Sequence, residues 1–323
     1  MKQAGRWIAS SIGLAVSALI LSSVAAFSQA APYPHKVVTL VTHSSPGGGS
    51  DVFLREMVKH LGRYIDATFV VDNVQGGSGA RAISKVATSK PDGSIFYAIT
   101  PTYIYTSLMS KPPHTWHDMQ PLAVMFADPE VLYTRTDGPF KSVKDVIDKA
   151  RASRGRWGVA NPASLERQAA EQLKRVAGVN AAIVSHEGGG DMMINVLNGT
   201  LDAGVGEVQE LRAQLAGNKV RLLGAFNSER LVDFPDMPTV KEQGFDAVVH
   251  KFRGLAGPKG LPPEIIAVWE QALPKMMADP AYKKTYEAES LIVDFRGAAA
   301  ANALIENFAK ESEAFLKETG VIK

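Results

Sequence analysis

Three consecutive glycines, Gly47–Gly49, stand between an apolar run and a helical pattern in the stretch THSSPGGGSDVFLREM. Bare backbone N–H groups at the start of a helix bind anions, because they approach a ligand closely and the helix dipole favours negative charge. Hydrogen bonds to a charged group contribute about 1.5–3 kcal/mol each, so a few of them hold a carboxylate or phosphate without a nearby arginine. With the hydroxyls of Ser44, Ser45 and Ser50, the glycines predict an anion site. A plain tight turn is the alternative.

Several other chemistries are excluded or poorly supported. The segment PGGGSD lacks the Lys-Ser/Thr ending of a P-loop, no G-x-G-x-x-G follows a strand, and no G-x-S-x-G elbow occurs. The chain has no cysteine, which excludes thiolate metal sites, thiol nucleophiles and disulfides. None of the seven histidines stands at H-E-x-x-H spacing. The sequence therefore predicts no metal, no cofactor and no catalytic residue.

Other polar residues follow the ends of predicted strands and are weaker candidates for ligand contact. Thr100 and Thr102 lie in the loop ITPT, and Gly189 lies in a second glycine triplet, HEGGGD, which is otherwise a plain turn. Glu207 follows LDAGVG and either accepts from a ligand or is an exposed acid at a helix start. Arg253 suits bidentate binding of a carboxylate, but an arginine here also braces domain interfaces.

Two histidines, His43 and His186, each end a predicted strand beside a glycine loop. One alternative function is therefore an α/β enzyme that acts on an anionic substrate, with both histidines and Glu187 in its cleft. We favour the interpretation that they are hydrogen-bonded loop residues, because the sequence offers no nucleophile or metal motif beside them.

Short apolar, β-branched runs alternate with helical patterns, which predicts an α/β fold with open, mainly parallel sheets. Ligands of such sheets bind beyond the carboxyl ends of the strands, where the loops SSPGGGSD, ITPT, ANPAS and HEGGGD lie. Ser50, Ser142 and Ser164 are predicted helix N-caps, and Gly178 is predicted to end a helix. The predicted strands include KVVTLVT (36–42), TFVV (68–71), SIFYAIT (94–100), RWGVA (156–160) and AAIVSH (181–186).

The N-terminus has the pattern of a secretory signal peptide. Lys2 and Arg6 precede an apolar run (7–26), and small residues lead to the turn-like APYP. We predict cleavage after Ala30, with Ala26 as another position and an uncleaved membrane anchor as the alternative. Without Lys2 and Arg6, 33 of the 35 basic residues remain and equal the 33 acidic residues. A formally neutral chain of this kind does not support nucleic-acid binding.

The order of motifs resembles that of Bug-type solute receptors, the extracytoplasmic binding proteins of tripartite tricarboxylate transporters. The resemblance runs in register through essentially the whole chain after the N-terminal segment, and the ordered set carries it rather than any one motif. The segments are YPHKVVTLVTHSSPGGGSD, VVDNVQGGSGARA, KPDGSIFYAI, VSHEGGGDMMINVLNGTLDAGVGE, LAGNKVRLLGAFNSER, FPDMPTVKEQGFD and FRGLAGPKGLP.

The resemblance implies a two-domain periplasmic binding-protein fold, type II-like, that closes like a Venus flytrap. Each domain would be a mainly parallel sheet flanked by helices, with two crossover connections between them. Domain 1 would comprise 31–130 and 251–323, and domain 2 would comprise 131–250, after the signal peptide at 1–30. A monomer in the periplasm would capture a small carboxylate and hand it to an integral membrane permease, without catalysis.

The resemblance also implies that the loops SSPGGGSD and ANPAS hold a carboxylate from both sides, largely through backbone amides and ordered water. Carried over to this chain, the residues are Ser44, Ser45, Gly47, Gly48, Gly49, Ser50 and Asp51 on one side, and Asn161, Pro162, Ala163 and Ser164 on the other.

Two departures from the family pattern affect this implied site. The family often has an aromatic residue where Ser44 stands, and its second loop is richer in glycine and serine than GVANPASLER. Pro162 has no N–H, so one backbone donor is lost, and the side chains of Asn161 and Ser164 are the substitutes. The departures leave the ligand open between a citrate-like acid and other acids. A receptor of another transport system that binds an oxyanion is a further alternative.

Overall fold

The computed structural model describes residues 33–323, and the predicted signal peptide lies outside them. Within this range, no helix has the length and apolarity needed to span a bilayer. The strands of the described chain are β1 (Val37–Thr42), β2 (Thr68–Asn73), β3 (Ile95–Ile99), β4 (Met119–Ala127), β5 (Glu130–Arg135), β6 (Gly155–Val159), β7 (Ala181–Ser185), β8 (Ala203–Glu207), β9 (Val220–Ala225), β10 (Phe252–Pro258) and β11 (Ile292–Gly297). The helices are α1 (Gly49–Leu61), α2 (Ala80–Ala87), α3 (Pro101–Ser110), α4 (Val143–Ala152), α5 (Leu165–Ala177), α6 (Gly189–Leu197), α7 (Val208–Ala216), α8 (Pro263–Met277), α9 (Pro280–Ala288) and α10 (Ala298–Glu318).

The strands form two sheets. The first has the order β11-β4-β10-β3-β1-β2 and the second has the order β7-β6-β8-β5-β9. In the first sheet β1 runs parallel to β2 and β3, and in the second β6 runs parallel to β7 and β8. The loops that follow these parallel strands therefore gather at one edge of each sheet. We call the first sheet with its helices lobe 1 and the second sheet with its helices lobe 2.

The two sheets are mixed rather than mainly parallel, which corrects the prediction. Strand β10 is antiparallel to β3 and β4, β11 is antiparallel to β4, and β5 is antiparallel to β8 and β9. The strands that carry the chain between the lobes cause this difference, because the returning strand β10 pairs with the outgoing strand β4. Alternating strands and helices predicted the α/β class correctly but carry no information on the direction of these strands.

Two connections join the lobes, at 128–129 and 226–251. They lie side by side, since Asp128 N donates to Lys251 O over 3.0 Å. The strands of lobe 1 come from 37–127 and 252–297, and those of lobe 2 come from 130–225. The exact domain limits near residues 130 and 250 stay a prediction.

The helix caps predicted at Ser142, Ser164 and Gly178 are confirmed, whereas the cap predicted at Ser50, after the first glycine triplet, is not. Ser142 caps α4 in a capping box, Ser164 Oγ accepts from Arg167 N, and Gly178 ends α5 in the left-handed conformation. The prediction for Ser50 is wrong, because the N-cap of α1 is Gly48, two residues earlier, and the helix begins at Gly49. The hydroxyl of Ser50 instead accepts from Arg253 Nη1 over 3.0 Å.

Each lobe has its own apolar core. In lobe 1, Trp269 makes edge contacts with Phe69 and Phe96, and in lobe 2 Trp157 is fully buried. Burial of a large apolar side chain stabilises the fold by about 1.5–3 kcal/mol, so such cores hold each lobe together.

The C-terminal helix α10 contacts both lobes. Its first turns, with Ala301 and Ile305, belong to the core of lobe 1. Leu316, near its end, is fully buried in a cluster with Ala163 and Leu165, which lie at the start of α5 in lobe 2. Besides the two chain connections, an apolar contact between α10 and α5 therefore joins the lobes.

Candidate functional site

A small cavity lies between the lobes, where loops that follow the parallel strands of both sheets meet. Its volume is about 20 Å³, which is room for one water-sized group. The lining residues are His43, Ser44, Gly49, Ser50, Thr100 and Thr102 from lobe 1, Ala160, Asn161, Glu166, Glu187, Gly188, Gly189, Glu207 and Glu210 from lobe 2, and Lys251 from the returning connection.

The first glycine loop is held in shape by the helix that follows it. Gly47 has a φ of +80°, a left-handed conformation that glycine adopts without strain. Its N–H donates to Asp51 Oδ2 over 2.9 Å, and Asn73 Nδ2 donates to Asp51 Oδ1 over 2.9 Å. Arg55 pairs with the same carboxylate. Asp51 is thus engaged by the loop and its neighbours and does not line the cavity.

The amide at the N-terminus of α1 is already bound by a carboxyl group of the opposite lobe. Gly49 N donates to Glu210 Oε2 over 3.1 Å. Helix α1 has no side-chain cap of its own, so Glu210 supplies the acceptor that its first turn lacks. A Cβ on Gly189 or Gly206 would collide with this carboxyl group. Glycines of lobe 2 therefore make the space that Glu210 occupies.

The second glycine triplet contacts the loop that precedes the first triplet across the cleft. A Cβ on Gly188 would collide with Ser45 Oγ, and a Cβ on Gly190 would collide with the carbonyl oxygen of Pro46. Such close approach of two backbones requires residues without side chains. The second triplet, Gly188–Gly190, is therefore a closure contact between the lobes as well as the start of α6.

A cluster of buried charges forms part of the cavity wall and extends behind it. Lys251 Nζ donates to Glu130 Oε1 over 2.8 Å, to Glu166 Oε1 over 3.1 Å and to Glu207 Oε1. These three carboxylates have oxygens within 4.8 Å of one another, a spacing that suits a metal ion. The Lys251 ammonium takes the central position instead, so the geometry supports a salt-bridge cluster rather than a metal centre.

Arg253 is fully buried beside this cluster and does not line the cavity. Its Nε donates to Asp128 Oδ2 over 2.8 Å, and its Nη2 donates to Asp128 Oδ2 and, over 3.2 Å, to Glu207 Oε1. With Ser50 as the third partner, the guanidinium connects α1 in lobe 1 to the start of α7 in lobe 2. Of the two roles that the sequence allowed for Arg253, the structure therefore supports bracing of the interface between the lobes rather than ligand contact.

The charges in the cluster set the protonation of its carboxyl groups. Burial alone would raise the pKa of Glu207, but the charges of Lys251 and Arg253 lower this pKa to about 2. Burial, reinforced by Glu207 and Glu166, raises the pKa of Glu210 well above its ordinary value. Burial also raises the pKa of Glu166, against the opposing charge of Lys251. The charges of Lys251 and Arg253 thus favour the ionised form of Glu207, whereas burial acts against ionisation of Glu210 and Glu166.

Three shielded oxygens on lining residues have no hydrogen-bond partner among the residues that the structure describes. They are Thr100 Oγ1, Glu166 Oε2 and Glu210 Oε1. Thr100 and Glu166 are 2% and 5% exposed. A buried polar atom without a partner costs about 1–3 kcal/mol.

The two histidines occupy different surroundings. His43 lines the cavity, and its Nδ1 is 2.7 Å from Tyr97 Oη. Burial, followed by the charge of Lys251, lowers the pKa of His43 to about 4, so it is neutral at pH 7. His186 does not line the cavity, and its ring nitrogens lie near Val159 O and Asn195 Nδ2. The cavity therefore does not bring the two rings together.

The structure brings about half of the sequence-predicted residues to the cavity. Those that line it are Ser44, Gly49, Ser50, Thr100, Thr102, Asn161, Gly189 and Glu207, and those that do not are Ser45, Gly47, Gly48, Asp51, Ala163, Ser164 and Arg253. The loop ANPAS is bonded largely to itself. Ala163 N donates to Asn161 Oδ1 over 3.0 Å, and the hydroxyl of Ser164 caps α5. Pro162 lines a surface groove beside Phe315 instead.

Sequence reasoning missed Glu166, Glu210 and Lys251 as cavity residues. Glu166 and Glu210 lie in the first turns of α5 and α7. Acids are common in the first turn of a helix, so their sequence positions do not indicate a binding site. A usable signal existed at the connections. Asp128 and Glu130 are two residues apart in ADPE, and Lys251 and Arg253 are two residues apart in HKFR, so each pair projects from one face of an extended segment.

The comparisons with known proteins agree with this architecture. A family model described as the tripartite tricarboxylate transporter family receptor matches residues 53–321. The chain belongs to this family. Among similar sequences, BugT of Bordetella pertussis is 25% identical to the receptor over 288 residues, 85% of this chain and 87% of BugT. A Cupriavidus necator protein encoded in the gbd 5′ region is 24% identical over 317 residues, 97% of this chain and 96% of that protein.

Solved structures show the same fold. The receptor matches the periplasmic binding protein BugD with a TM-score of 0.83 at 22% identity, over 90% of this chain and 100% of BugD. It matches an R. palustris protein with adipate at a TM-score of 0.84 and 23% identity, over 90% and 99% of the two chains. MatC from Rhodopseudomonas palustris with bound malate matches at a TM-score of 0.80 and 21% identity, over 87% of this chain and 99% of MatC. The predicted two-domain periplasmic binding-protein fold is thereby confirmed.

Proposed function

We propose that this receptor captures a small carboxylate between its two lobes and delivers it to the membrane permease of a tripartite tricarboxylate transporter. The observation that carries the proposal is the cavity between the lobes, enclosed by both glycine triplets and by the first turns of several helices. Membership of the receptor family supports a carboxylate as the ligand, as do the two structural neighbours with adipate and with bound malate.

Capture would be a shift from an open to a closed arrangement. A ligand favours closure only if it contacts both lobes in the closed state more strongly than in the open state. Cavity residues from lobe 1, such as Ser44 and Thr102, stand opposite Asn161 and Gly189 from lobe 2. A solute in this place would therefore touch both lobes at once.

The proposal does not include catalysis. His43 is neutral and bonded to Tyr97, and His186 lies away from the cavity. Lys251 also lines the cavity, but its ammonium group forms ion pairs with Glu130, Glu166 and Glu207. Its amine is therefore not free to act as a nucleophile. We also propose that the chain acts as a monomer in the periplasm after removal of residues 1–30, as the receptor family and the N-terminal pattern imply.

The test is a thermal-shift screen with mono-, di- and tricarboxylates, aromatic acids and inorganic oxyanions, followed by calorimetry of the compounds that bind. A ligand at a hundred times its dissociation constant stabilises a protein by about 2.7 kcal/mol. Stabilisation by oxyanions alone would favour a receptor of another transport system. Turnover of a bound carboxylate would favour an enzyme and would contradict the proposal.

The variant Gly48→Val connects binding to the cleft. Gly48 has an extended backbone that valine adopts, but a Cβ there would collide with Ser44 Oγ in the cavity wall. We expect ligand binding to be lost while the fold remains. Gly62→Ala is the matched control, because the added Cβ would meet only Ala67 O at an ordinary 3.7 Å. Unchanged affinity in Gly48→Val would remove this loop from the site.

A further inference from the structure

His43 lines the cavity, and buried neighbours hold its imidazole in place. It follows β1, and Val41 of this strand pairs with Tyr97 of β3. Since His43 comes two residues after Val41, its side chain is brought to the side of the sheet on which Tyr97 lies. Nδ1 of the ring is 2.7 Å from Tyr97 Oη. Gly79 also packs against His43, because a Cβ on this glycine would meet His43 Cβ at 3.2 Å.

The phenol of Tyr97 decides which ring nitrogen of His43 carries the proton. Tyr97 is fully buried, and its hydroxyl has His43 Nδ1 as its hydrogen-bond partner and no other among the residues that the structure describes. If Nδ1 carried the proton, the phenol hydrogen would be buried without an acceptor, which is costly. The phenol therefore donates to Nδ1. Because the imidazole is neutral at pH 7, its proton then resides on Nε2.

The second ring nitrogen of His43 is accessible from the cavity. Nε2 has no hydrogen-bond partner within the described part of the chain, and it is not among the unpartnered atoms that are closed to solvent. Oxygens of Thr100, Glu166 and Glu210 are closed in this way. His43 is 8% exposed and lines the cavity. The cavity wall therefore has an N–H donor that a solute can reach.

The stronger donors nearby are already engaged. Lys251 forms ion pairs with three carboxylates, Gly49 N donates to Glu210 Oε2, and Arg253 does not line the cavity. Burial, followed by the charges of Lys251 and Arg253, lowers the pKa of His43 to about 4 and so disfavours an imidazolium. An acceptor oxygen that enters the cavity thus meets the N–H of a neutral ring.

We propose that His43 is a solute-binding residue whose Nε2–H donates to an oxygen of the captured solute, and that Tyr97 is a positioning residue that fixes this tautomer through Nδ1. The inference rests on the proposed function and deepens it by assigning two residues of the same site. A neutral donor with a fixed tautomer binds an acceptor oxygen without adding a third cation to the buried cluster.

Two substitutions of His43 separate solute binding from the contact with Tyr97. His43→Gln places an amide N–H near the position of Nε2, whereas His43→Asn places an amide oxygen near Nδ1 and has no donor at Nε2. The probe for calorimetry on the intact receptor is the carboxylate that stabilises the wild type most in the thermal-shift screen. We expect His43→Asn to bind it about tenfold more weakly than the wild type and about threefold more weakly than His43→Gln. A purely structural role of His43 predicts the reverse order, because His43→Asn keeps the acceptor for Tyr97.

Tyr97→Phe tests the positioning role, because it removes only the hydroxyl. Long-range proton–nitrogen NMR spectra of the ¹⁵N-labelled receptor, with sequential assignment of His43, distinguish a protonated ring nitrogen from a bare one. We expect the proton on Nε2 in the wild type and a change of the Nε2 signal when the carboxylate binds. In Tyr97→Phe we expect both tautomers and an affinity about three- to tenfold lower. His117→Gln changes an exposed histidine outside the cavity and should leave the affinity unchanged.

The outcomes separate the inference from the proposed function. Wild-type affinity in both variants of His43, or tighter binding by His43→Asn than by His43→Gln, would overturn the inference and leave a carboxylate receptor standing. A proton on Nδ1 of the wild type would also overturn it, and this measurement requires no variant to fold. If no carboxylate binds the wild type, the proposed function fails and the inference falls with it.

Discussion

Arg212 Nη1 of helix α7 donates to Glu289 Oε1, which follows helix α9, over 3.2 Å, so an ion pair joins the two lobes outside the cavity. Glu289 is 2% exposed, while 46% of the Arg212 side chain is exposed. Beside this pair, Ser290 Oγ donates to Asp233 Oδ2 over 3.2 Å. The rim of the cleft therefore has polar contacts of its own, and one of them includes a strongly perturbed carboxyl group.

Glu289→Gln should remove a pH dependence of stability. Burial, against the weaker opposing effect of Arg212, raises the pKa of Glu289 from 4.5 to about 7. The folded chain thus keeps a proton that the unfolded chain releases between these values. This contribution to stability is full below pH 4.5 and is lost as the pH rises through 7. Relative to the variant, the wild type should lose roughly 2–3 kcal/mol over this range, measured by urea unfolding at pH 4.5 and pH 8.

The control for this prediction is Glu287→Gln, which removes an exposed carboxylate two residues away. It should unfold with the pH dependence of the wild type. Parallel stability curves for the wild type and Glu289→Gln would contradict the assigned protonation.

Arg253→Met should destabilise the fold by about 3–5 kcal/mol in urea unfolding, because it leaves Asp128 buried without its cation. Asp128 is 1% exposed and receives two hydrogen bonds from Arg253. Arg63→Gln is the matched control, since Arg63 is 61% exposed in its pair with Asp279 and such surface pairs contribute about 0–1 kcal/mol. A loss below 1 kcal/mol in Arg253→Met would show that the cluster does not stabilise the fold.

Glu210→Ala should open the receptor in the absence of ligand. The hydrogen bond from Gly49 N to Glu210 joins the lobes, and one such bond contributes about 0.5–1.5 kcal/mol. Its loss should shift the population toward the open form by roughly two- to tenfold. Small-angle X-ray scattering should then give a larger radius of gyration than for the wild type. An unchanged scattering curve would mean that this contact does not favour closure.

Leu316→Ala should weaken ligand binding although Leu316 lies away from the cavity. Its fully buried side chain packs against Ala163 and Leu165 of lobe 2, so truncation should cost about 2–5 kcal/mol, part of it in the closed state. Ile305→Ala removes an equally buried side chain within the core of lobe 1. We expect Ile305→Ala to lower the melting temperature but to leave calorimetric affinity unchanged. Equal affinities of the two variants would contradict a role of α10 in closure.

The sequence was sufficient for features that depend on neighbours along the chain. The position of Gly47–Gly49 between a strand and a helix, and the caps at Ser142 and Ser164, are local patterns that the structure repeats. The family resemblance supplied the two-lobe fold. Ser50 failed as a cap because its hydroxyl is used by Arg253, which is 203 residues away.

The candidate site was harder to predict, because its main contacts join distant residues across the closed cleft. Glu210 meets Gly49 161 residues away, and Lys251 meets Glu130 121 residues away. No local pattern distinguishes Glu210 from an ordinary acid at a helix start. Its proximity to the glycine loop follows only from the closed arrangement of the lobes.

The contact of helix α10 with lobe 2 has a calorimetric consequence. Opening the cleft would have to separate Leu316 and the neighbouring Phe315 from the start of α5, which exposes apolar surface to water. Exposure of apolar surface raises the heat capacity, and its burial lowers it. Capture of even a small, wholly polar solute should therefore show a more negative heat-capacity change than the solute's own surface accounts for, and Leu316→Ala should reduce the excess.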